Sequence, residues 1–581
     1  MVSNNMQNAL ELKANSLRLY KYLCDEIVGS ENIVRYKRLY CKLHDDVLNY
    51  YDSEIISSGS KAEGLDIPGS DIDMMLLLKT WEAHESKPDN KKEVIILDTE
   101  NALPGFALLK VTDDVSFIFL PTITVQGNII ASDDFLDYIS TKEELNDALS
   151  EIHGPSLSHS FFSEIDIVPC LKCHTWPSVA KQWLLRYRPS GWPSHDIICK
   201  VVTEGVLLVP VGSKSSSSEG NPLEWRFSFS LSEKLLASSL NHCQFLCYSL
   251  LKIFLKQILN KINRVSDKLC SYHMKTVLFW VLEEDQHLCW IQENLLQCFL
   301  SCIQRLHYWI SCEYIPNYFI PEHNMLDGKL SHDVLSYLSL LLDDMNKPNS
   351  WKIIFSAPSL SNLKHKPNSI LKELPLLSEL DAAVRPLHTF SAIALVLSGY
   401  YRKDSQCRRI IYRILQKNLP YSAKRMLTTM FLQGNKTMLA TFDVLNGKNK
   451  CRYLLYKRCL SRILINTYYN IVSGWLLLGA FFYSTKEYQK MFYILQLSSS
   501  LLSLKNNRIS KVEANDAIGF CSEKFQFLTE DFPYTMKFES YQSNTLFYYL
   551  KFLYSREQGK SLETRSALQL LRRAILKDIN T

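Results

Sequence analysis

At 581 residues the chain is too long for a single hydrophobic core, so two to four domains are expected. Hydrophobic residues at 46% and charged residues at 22% give the balance of a folded protein, and 19 Gly with 20 Pro exclude collagen-like and low-complexity chains. The net charge of +5 conceals an asymmetry, because residues 1–345 carry 30 Lys and Arg against 45 Asp and Glu while residues 346–581 carry 35 against 15. An acidic part and a basic part are therefore expected to be separate domains with different, or mutual, partners.

Residues 1–10 are polar, without the basic-then-apolar layout of a secretory signal. Apolar runs such as 471–483 fall short of the ~20 residues a membrane span needs. A cytoplasmic protein with no membrane partner is the expectation, and its sixteen cysteines then read as reduced, buried thiols. Cys170-Leu171-Lys172-Cys173-His174 matches the haem-attachment pattern and half of a zinc site, but no second pair lies near it and it follows an apolar strand-like run, so it reads as structural.

In residues 7–50, Leu10, Leu12, Leu17 and Leu19, then Leu39, Leu43 and Val47, recur near helical spacing and predict one or two helices. Strand signals follow at 55–56, 74–78, 94–97, 106–111, 115–120, 165–168 and 205–211, and their alternation predicts a mostly antiparallel sheet. Residues 213–218, serines around Lys214, read as a loop. From Leu231 the period turns helical, with a break around Pro316 and Pro321. Residues 346–375, containing Pro348, Pro358, Pro367 and Pro375, predict a linker. Beyond it, 376–581 reads as a basic all-α extension in which Trp475, Leu478, Gly479, Phe482 and Tyr488 resemble one tetratricopeptide helix pair.

The sharpest chemical feature is Ser58-Gly59-Ser60 followed by Asp71-Ile72-Asp73 and a strand. Side chains at i and i+2 of a strand share a face, so Asp71 and Asp73 are expected to project together. Paired carboxylates suit divalent ions that clamp the attacking and leaving oxygens of phosphoryl transfer, and Mg2+ or Mn2+ is the expected cofactor. The Gly59-Ser60 turn offers backbone N–H groups and a hydroxyl to a triphosphate. Asp166, on the strand signal at 165–168, is the candidate third carboxylate.

These motifs, with Asp166 to Pro169, Gly191-Trp192-Pro193-Ser194, Glu224-Trp225-Arg226-Phe227-Ser228-Phe229-Ser230, Ser271-Tyr272-His273-Met274-Lys275-Thr276 and Tyr318-Phe319-Ile320-Pro321, resemble the male-abnormal nucleotidyltransferase family. Its enzymatic branch includes cyclic GMP–AMP synthase and the animal receptors like it. The resemblance covers roughly residues 10–345. It implies an α+β fold: a nucleotidyltransferase lobe on a twisted mixed sheet with an N-terminal helix (1–230), then a helical lobe of the same catalytic module (231–345).

Carried over by motif, Asp71, Asp73 and Asp166 resemble the metal triad, and Gly59 and Ser60 the triphosphate-contacting turn. Arg226 resembles a base-reading arginine, Lys252 a phosphate-reaching lysine, and Ser271 and Tyr272 a phosphate-binding serine and base-stacking tyrosine. The implied function is a ligand-activated nucleotidyltransferase that makes a cyclic dinucleotide from ATP and/or GTP in innate immune sensing. The alternative is a catalytically silent scaffold. Tyr272 and Trp225 also read as core aromatics, and Arg226 as a partner of Glu224 or Glu233. Between the arginine motif and the lysine helix only His242 and Cys243 stand, with Cys247 just beyond, so no zinc is expected.

The resemblance also implies a double-stranded RNA or DNA activator. Lys13, Arg18, Lys21, Arg35, Lys37, Arg38 and Lys42 form one candidate basic patch, and Lys256, Lys261, Arg264 and Lys268 a second. The extension, with Arg402, Lys403, Arg408, Arg409, Arg413, Lys457 and Arg458, is expected to supply phosphate contacts, a protein-partner surface, or a face that docks on the acidic part.

Overall fold

The computed structural model divides the chain into two compact units, Met1–Leu387 and His388–Thr581. In the first it describes residues 2–48, 54–67, 70, 72–88, 94–111, 125–126, 128–141, 149–159, 162–213, 221–326, 330–347, 349–361 and 363. In the second it describes residues 456–457, 460, 463–464, 473–508, 518–520, 539–541 and 543–579.

The first unit opens with α1 (Val2–Tyr22), which runs into a π-turn at Leu23–Ile27, and α2 (Glu31–Leu48). Leu19, Leu23, Val34, Tyr40, Cys41 and Leu43 are buried, the inward stripe of two amphipathic helices. Eleven strands among the described residues then build one sheet: β1 (Glu54–Ser58), β2 (Ile72–His84), β3 (Ile95–Asp98), β4 (Phe106–Val111), β5 (Val125–Gln126), β6 (Ile129–Ile130), β7 (Leu149–His153), β8 (Ser156–His159), β9 (Phe162–Cys173), β10 (Val206–Val209) and β11 (Glu224–Ser228). Helices α3 (Gly59–Ala62), α4 (Ser132–Thr141), α5 (Lys181–Leu185) and α6 (His195–Glu204) are set between them.

The sheet is mixed, as the family resemblance implies, and mostly antiparallel, as the strand pattern predicts. β2 runs parallel to both β3 and β9, and the other pairings are antiparallel. From β2 through β3, β4, β11, β10 and β9 the pairings return to β2, so the sheet curls until its central strands close on one another. Closure removes free edges from these strands. The strand expected at 115–120 and the loop beyond Ser213 lie outside the described residues.

The helical lobe follows with α7 (Ser230–Ser239), α8 (His242–Gln257), α9 (Ser271–Glu284), α10 (Leu295–Ser311) and α11 (His332–Asp343). Thirteen of the sixteen residues of α8 are buried, His242 and Lys252 among them, which makes it a central helix enclosed by the rest of the lobe. Its start is fixed by a reciprocal cap: the Asn241 side chain accepts from Gln244 N at 2.9 Å, and Gln244 Oε1 accepts from Asn241 N at 2.8 Å. Between α10 and α11 the chain bearing Pro316 and Pro321 leaves helical geometry and buries Tyr318 and Phe319 among Trp183, Phe229 and Phe279.

The segment read as a linker behaves differently over its first half. Residues 350–356 and 358–360 form 3-10 turns whose Trp351, Ile354, Ala357 and Leu360 are buried. The Ser359 backbone N–H and hydroxyl both donate to Gln257 Oε1, and Tyr22 donates to Ser359 O. Proline spacing flagged a departure from α-helix, but the apolar residues between the prolines hold these turns to the first unit, which ends at Leu387.

In the second unit, α12 (Ser473–Ser484) and α13 (Tyr488–Arg508) form a helix hairpin around the Trp475–Tyr488 motif. α14 (Ser543–Glu557) and α15 (Ser561–Ile579) form another. Leu476, Ala480, Phe481, Met491 and Leu550 make their shared core. A short antiparallel pair, β12 (Ile518–Phe520) with β13 (Glu539–Tyr541), interrupts what the sequence reads as purely helical. No helix among the described residues is long and apolar enough to cross a membrane.

Candidate active site

β1 ends at Ser58, the chain turns at Gly59, and α3 begins. Gly59 has φ +69°, a conformation L side chains rarely adopt, and a Cβ there would lie 1.7 Å from Asp73 Oδ2. The glycine is required twice over, once by the backbone and once by the carboxylate packed against it. Asp73 faces Ser58 across the β1–β2 ladder and Asp166 across the parallel β2–β9 ladder. Residues opposite one another on neighbouring strands share a face, with backbones ~4.8 Å apart. The two carboxylates therefore project together from one face. Asp166 Oδ1 also accepts from Ser156 Oγ at 3.2 Å.

Beside them opens a cavity of about 220 Å³ lined by Gly59, Ser60, Ser70, Asp73, Tyr248, Lys252, Lys256, Ser271, Tyr272 and Lys275. Ser60 is buried at the head of α3. Tyr248, Lys252 and Lys256 come at four-residue spacing from one face of α8. Ser271 and Tyr272 open α9, and Tyr272 Oη accepts from Asn317 Nδ2 at 3.2 Å.

Burial pushes the Lys252 ammonium down to about 8; neighbouring Lys256 adds to the fall, and Glu63 and Asp73 oppose it. Lys275 behaves oppositely. Burial lowers it, but Glu233 and Glu63 outweigh that and hold it well above the usual lysine range. Its Nζ sits 2.6 Å from Glu63 Oε1 and 2.9 Å from Glu233 Oε2. This buried triad joins the end of α3, α7 and α9 behind the cavity wall.

Of the residues singled out by sequence, Gly59, Ser60, Asp73, Lys252, Ser271 and Tyr272 line this one cavity. Asp166 is not among its lining residues but stands opposite Asp73. Arg226, on β11, is open to solvent and within electrostatic reach of Tyr272 and Cys270. Of its two suggested partners, Glu233 lies within electrostatic reach of it while holding Lys275, and Glu224 accepts from Leu103 N and Ser213 N, both at 3.1 Å. Trp225 is a core aromatic, fully buried, donating to Ile130 O at 2.9 Å. Asp71 lies outside the described residues, among which no group of three or more His, Cys, Asp and Glu is arranged to hold a metal. Asp73 and Asp166 nonetheless present adjacent hard oxygen donors, the chemistry a magnesium-like ion takes.

Sequence reasoning missed Ser70, Tyr248, Lys256 and Lys275 as site residues. The three in α8 and α9 had a signal, since each lies three or four helical positions from a residue that was found. Ser70 had none. Cys170 and Cys173 are buried free thiols on β9, and a three-residue offset turns them to opposite faces of the strand.

One of the two basic patches needs correcting. Lys37 is 5% exposed and donates to Val28 O; Arg38 donates to Glu63 O and Ala237 O and lies over the Phe245 ring; Arg35 pairs with Glu31. Lys37 and Arg38 hold α2 in place, whereas Arg35 is an exposed charge paired along its own helix, and Lys13, Lys21 and Lys42 are exposed as well. In the second patch Lys256 lines the cavity, while Lys261, Arg264 and Lys268 are exposed. Of the extension's basic residues named from the sequence, Lys457 is described, while Arg402, Lys403, Arg408, Arg409, Arg413 and Arg458 lie outside the described residues.

A curled mixed sheet carrying paired carboxylates beside a glycine-serine turn, with a helical lobe lending lysines and hydroxyls, defines a nucleotidyltransferase-type architecture. Residues 150–239 match the Mab-21 protein nucleotidyltransferase domain, and residues 243–341 match the Mab-21 protein HhH/H2TH-like domain. The chain thus carries the paired nucleotidyltransferase and helical domains of that family.

It is 29% identical to cyclic GMP-AMP synthase of Mus musculus over 181 residues, covering 29% of this chain and 34% of that protein. It is 27% identical to protein mab-21-like 3 of Danio rerio over 170 residues, covering 28% and 39%. It is 27% identical to a cyclic GMP-AMP synthase-like receptor of Ctenocephalides felis over 173 residues, covering 28% and 35%. The chain spans about a third of the length of the curated relatives it matches.

Proposed function

We propose that this protein is a metal-dependent nucleotidyltransferase that joins ATP and/or GTP into a cyclic dinucleotide when a ligand activates it. The observation that carries the reading is the register of β2 and β9, which stands Asp73 opposite Asp166 on one face beside the Gly59–Ser60 turn. Similarity to cyclic GMP-AMP synthase supports the product class. The reaction is in-line attack of a ribose hydroxyl on an α-phosphate, with pyrophosphate leaving.

Asp71, Asp73 and Asp166 would hold Mg2+ or Mn2+, which, when bound, polarises the phosphoryl group and acidifies the attacking hydroxyl. The residues of the chain supply the rest. Ser60, Lys252 and Ser271 bind phosphate oxygens, Tyr272 offers a stacking face, and Arg226 offers a planar donor fork to a base edge. Lys13, Lys21 and Lys42 on one side and Lys261, Arg264 and Lys268 on the other are the exposed charges available to a double-stranded RNA or DNA activator. The second unit is the surface for a protein partner, and the cytoplasm is the compartment.

The test incubates wild type, Asp73→Asn and Asp166→Asn with ATP, GTP, Mn2+ and RNA or DNA duplexes and separates products by chromatography. A cyclic dinucleotide from wild type alone supports the reading. Equal background from all three proteins under every duplex rejects catalysis and leaves a silent scaffold.

A further inference from the structure

Ser70 is 6% exposed, three residues ahead of Asp73, and its backbone N–H donates to Ile67 O at 2.9 Å. Its side chain lines the cavity, and its buried Oγ has no hydrogen-bond partner among the described residues. A buried hydroxyl with nothing to bond is costly, and folded proteins keep few of them. The groups around it say what it lacks. Lys252 and Lys256 present ammonium donors, Ser60 and Ser271 present hydroxyls, the Lys275 ammonium is already held by Glu63 and Glu233, and Asp73 is the single carboxylate of the lining. The wall is rich in donors and short of acceptors, so its complement is an anion with several oxygens.

We propose that Ser70 is a ligand of the bound nucleotide, donating its hydroxyl to a phosphoryl oxygen. The inference rests on the nucleotidyltransferase reading above and adds a contact to it. A role in the fold and a role in binding predict different signs. If Ser70 held the fold together, removing its hydroxyl would lower stability. If the hydroxyl waits for a ligand, removing it relieves an orphan and leaves the ligand-free protein as stable or more so, while phosphate affinity falls.

The experiment titrates the full chain, Ser70→Ala and Ser70→Gly with ATP, inorganic tripolyphosphate and adenosine, each with Mg2+, and records the ligand-free Tm. A hydrogen bond to a charged oxygen makes ATP and tripolyphosphate bind about tenfold or more weakly to the variants. Adenosine binding and the Tm of Ser70→Ala stay at or above wild-type values. Ser70→Gly guards against a packing effect peculiar to alanine. Variants that bind ATP and tripolyphosphate as tightly as wild type overturn the inference, as does a loss confined to adenosine or a Tm that falls with the affinity. A wild-type chain that binds no ATP overturns the nucleotidyltransferase reading along with it. A wild type that binds while Ser70→Ala is unaffected overturns this contact alone.

Discussion

Replacing Lys275 with methionine removes one charge and keeps most of the side chain's length. Glu63, Glu233 and Lys275 are 2%, 8% and 7% exposed, so the variant leaves two buried carboxylates without their counter-ion. Breaking a buried ion pair by removing one partner costs about 3–5 kcal/mol. Unfolding entropy of about 2.1 cal/mol/K per residue over the unit Met1–Leu387 comes to ~0.8 kcal/mol/K, so its Tm should fall by about 4–6 °C near neutral pH.

The loss has a pH signature. Burial raises the Glu63 carboxyl in the folded state, and Lys275 pulls it back down. Without the lysine it rises further. A carboxyl with a folded value above its unfolded one takes up a proton on folding, so stability returns as pH falls below that folded value. Calorimetry of the full chain near pH 7.5 and near pH 5 reads both effects. Glu63→Gln added to Lys275→Met should recover part of the loss. A Lys275→Met protein as stable as wild type, or one with the same deficit at both pH values, would refute the reasoning.

Gly59→Ala should cost about 1–3 kcal/mol through its positive φ alone. Because its Cβ also displaces the Asp73 carboxylate, titration should show metal-supported ATP binding lost; normal binding would contradict the packing described. With its ammonium near 8, Lys252 is charged below that pH and neutral above it, so ATP affinity should fall as pH rises through about 8. An ordinary lysine holds its charge to ~10, and Lys252→Arg should flatten the profile; a flat wild-type curve counts against a phosphate contact. A fragment ending at residue 345 should unfold at a lower temperature than one ending at 387, because Trp351, Ile354 and Leu360 leave with the removed segment. Equal Tm values would make that segment a linker after all.

The regular parts of the fold were legible because one-dimensional patterns encode them. The strand at 74–78 surfaced as five consecutive apolar residues, and the helices after Leu231 as continuous i, i+4 stripes. Gly59 and Asp73 were legible because the glycine and the carboxylate each belong to a local motif. What the sequence could not display is pairing between distant segments. Nothing in 162–173 says that it lies parallel to 72–84, or in which register, and nothing around Glu63 or Glu233 points to Lys275. Ser70 is silent for the same reason, since a serine after Pro68-Gly69 looks like any turn. The basic patch on α2 misled because a row of charges records composition, not exposure: Lys37 and Arg38 turn inward to carbonyl oxygens.

The alignment of Asp73 with Asp166 has a consequence for how such a protein changes over generations. Like charges directly opposite one another on adjacent strands repel, and here they sit at the joint that closes the sheet on itself. Exchanging either aspartate for its amide removes the repulsion and leaves the backbone ladder intact. Loss of the acidic pair is thus a downhill step for the folded chain, whereas regaining it is uphill and needs a cation to offset the strain. On the proposed reading, selection for nucleotidyl transfer is what holds the pair in place, and a lineage released from it would drift towards sturdier, inert descendants of the same shape.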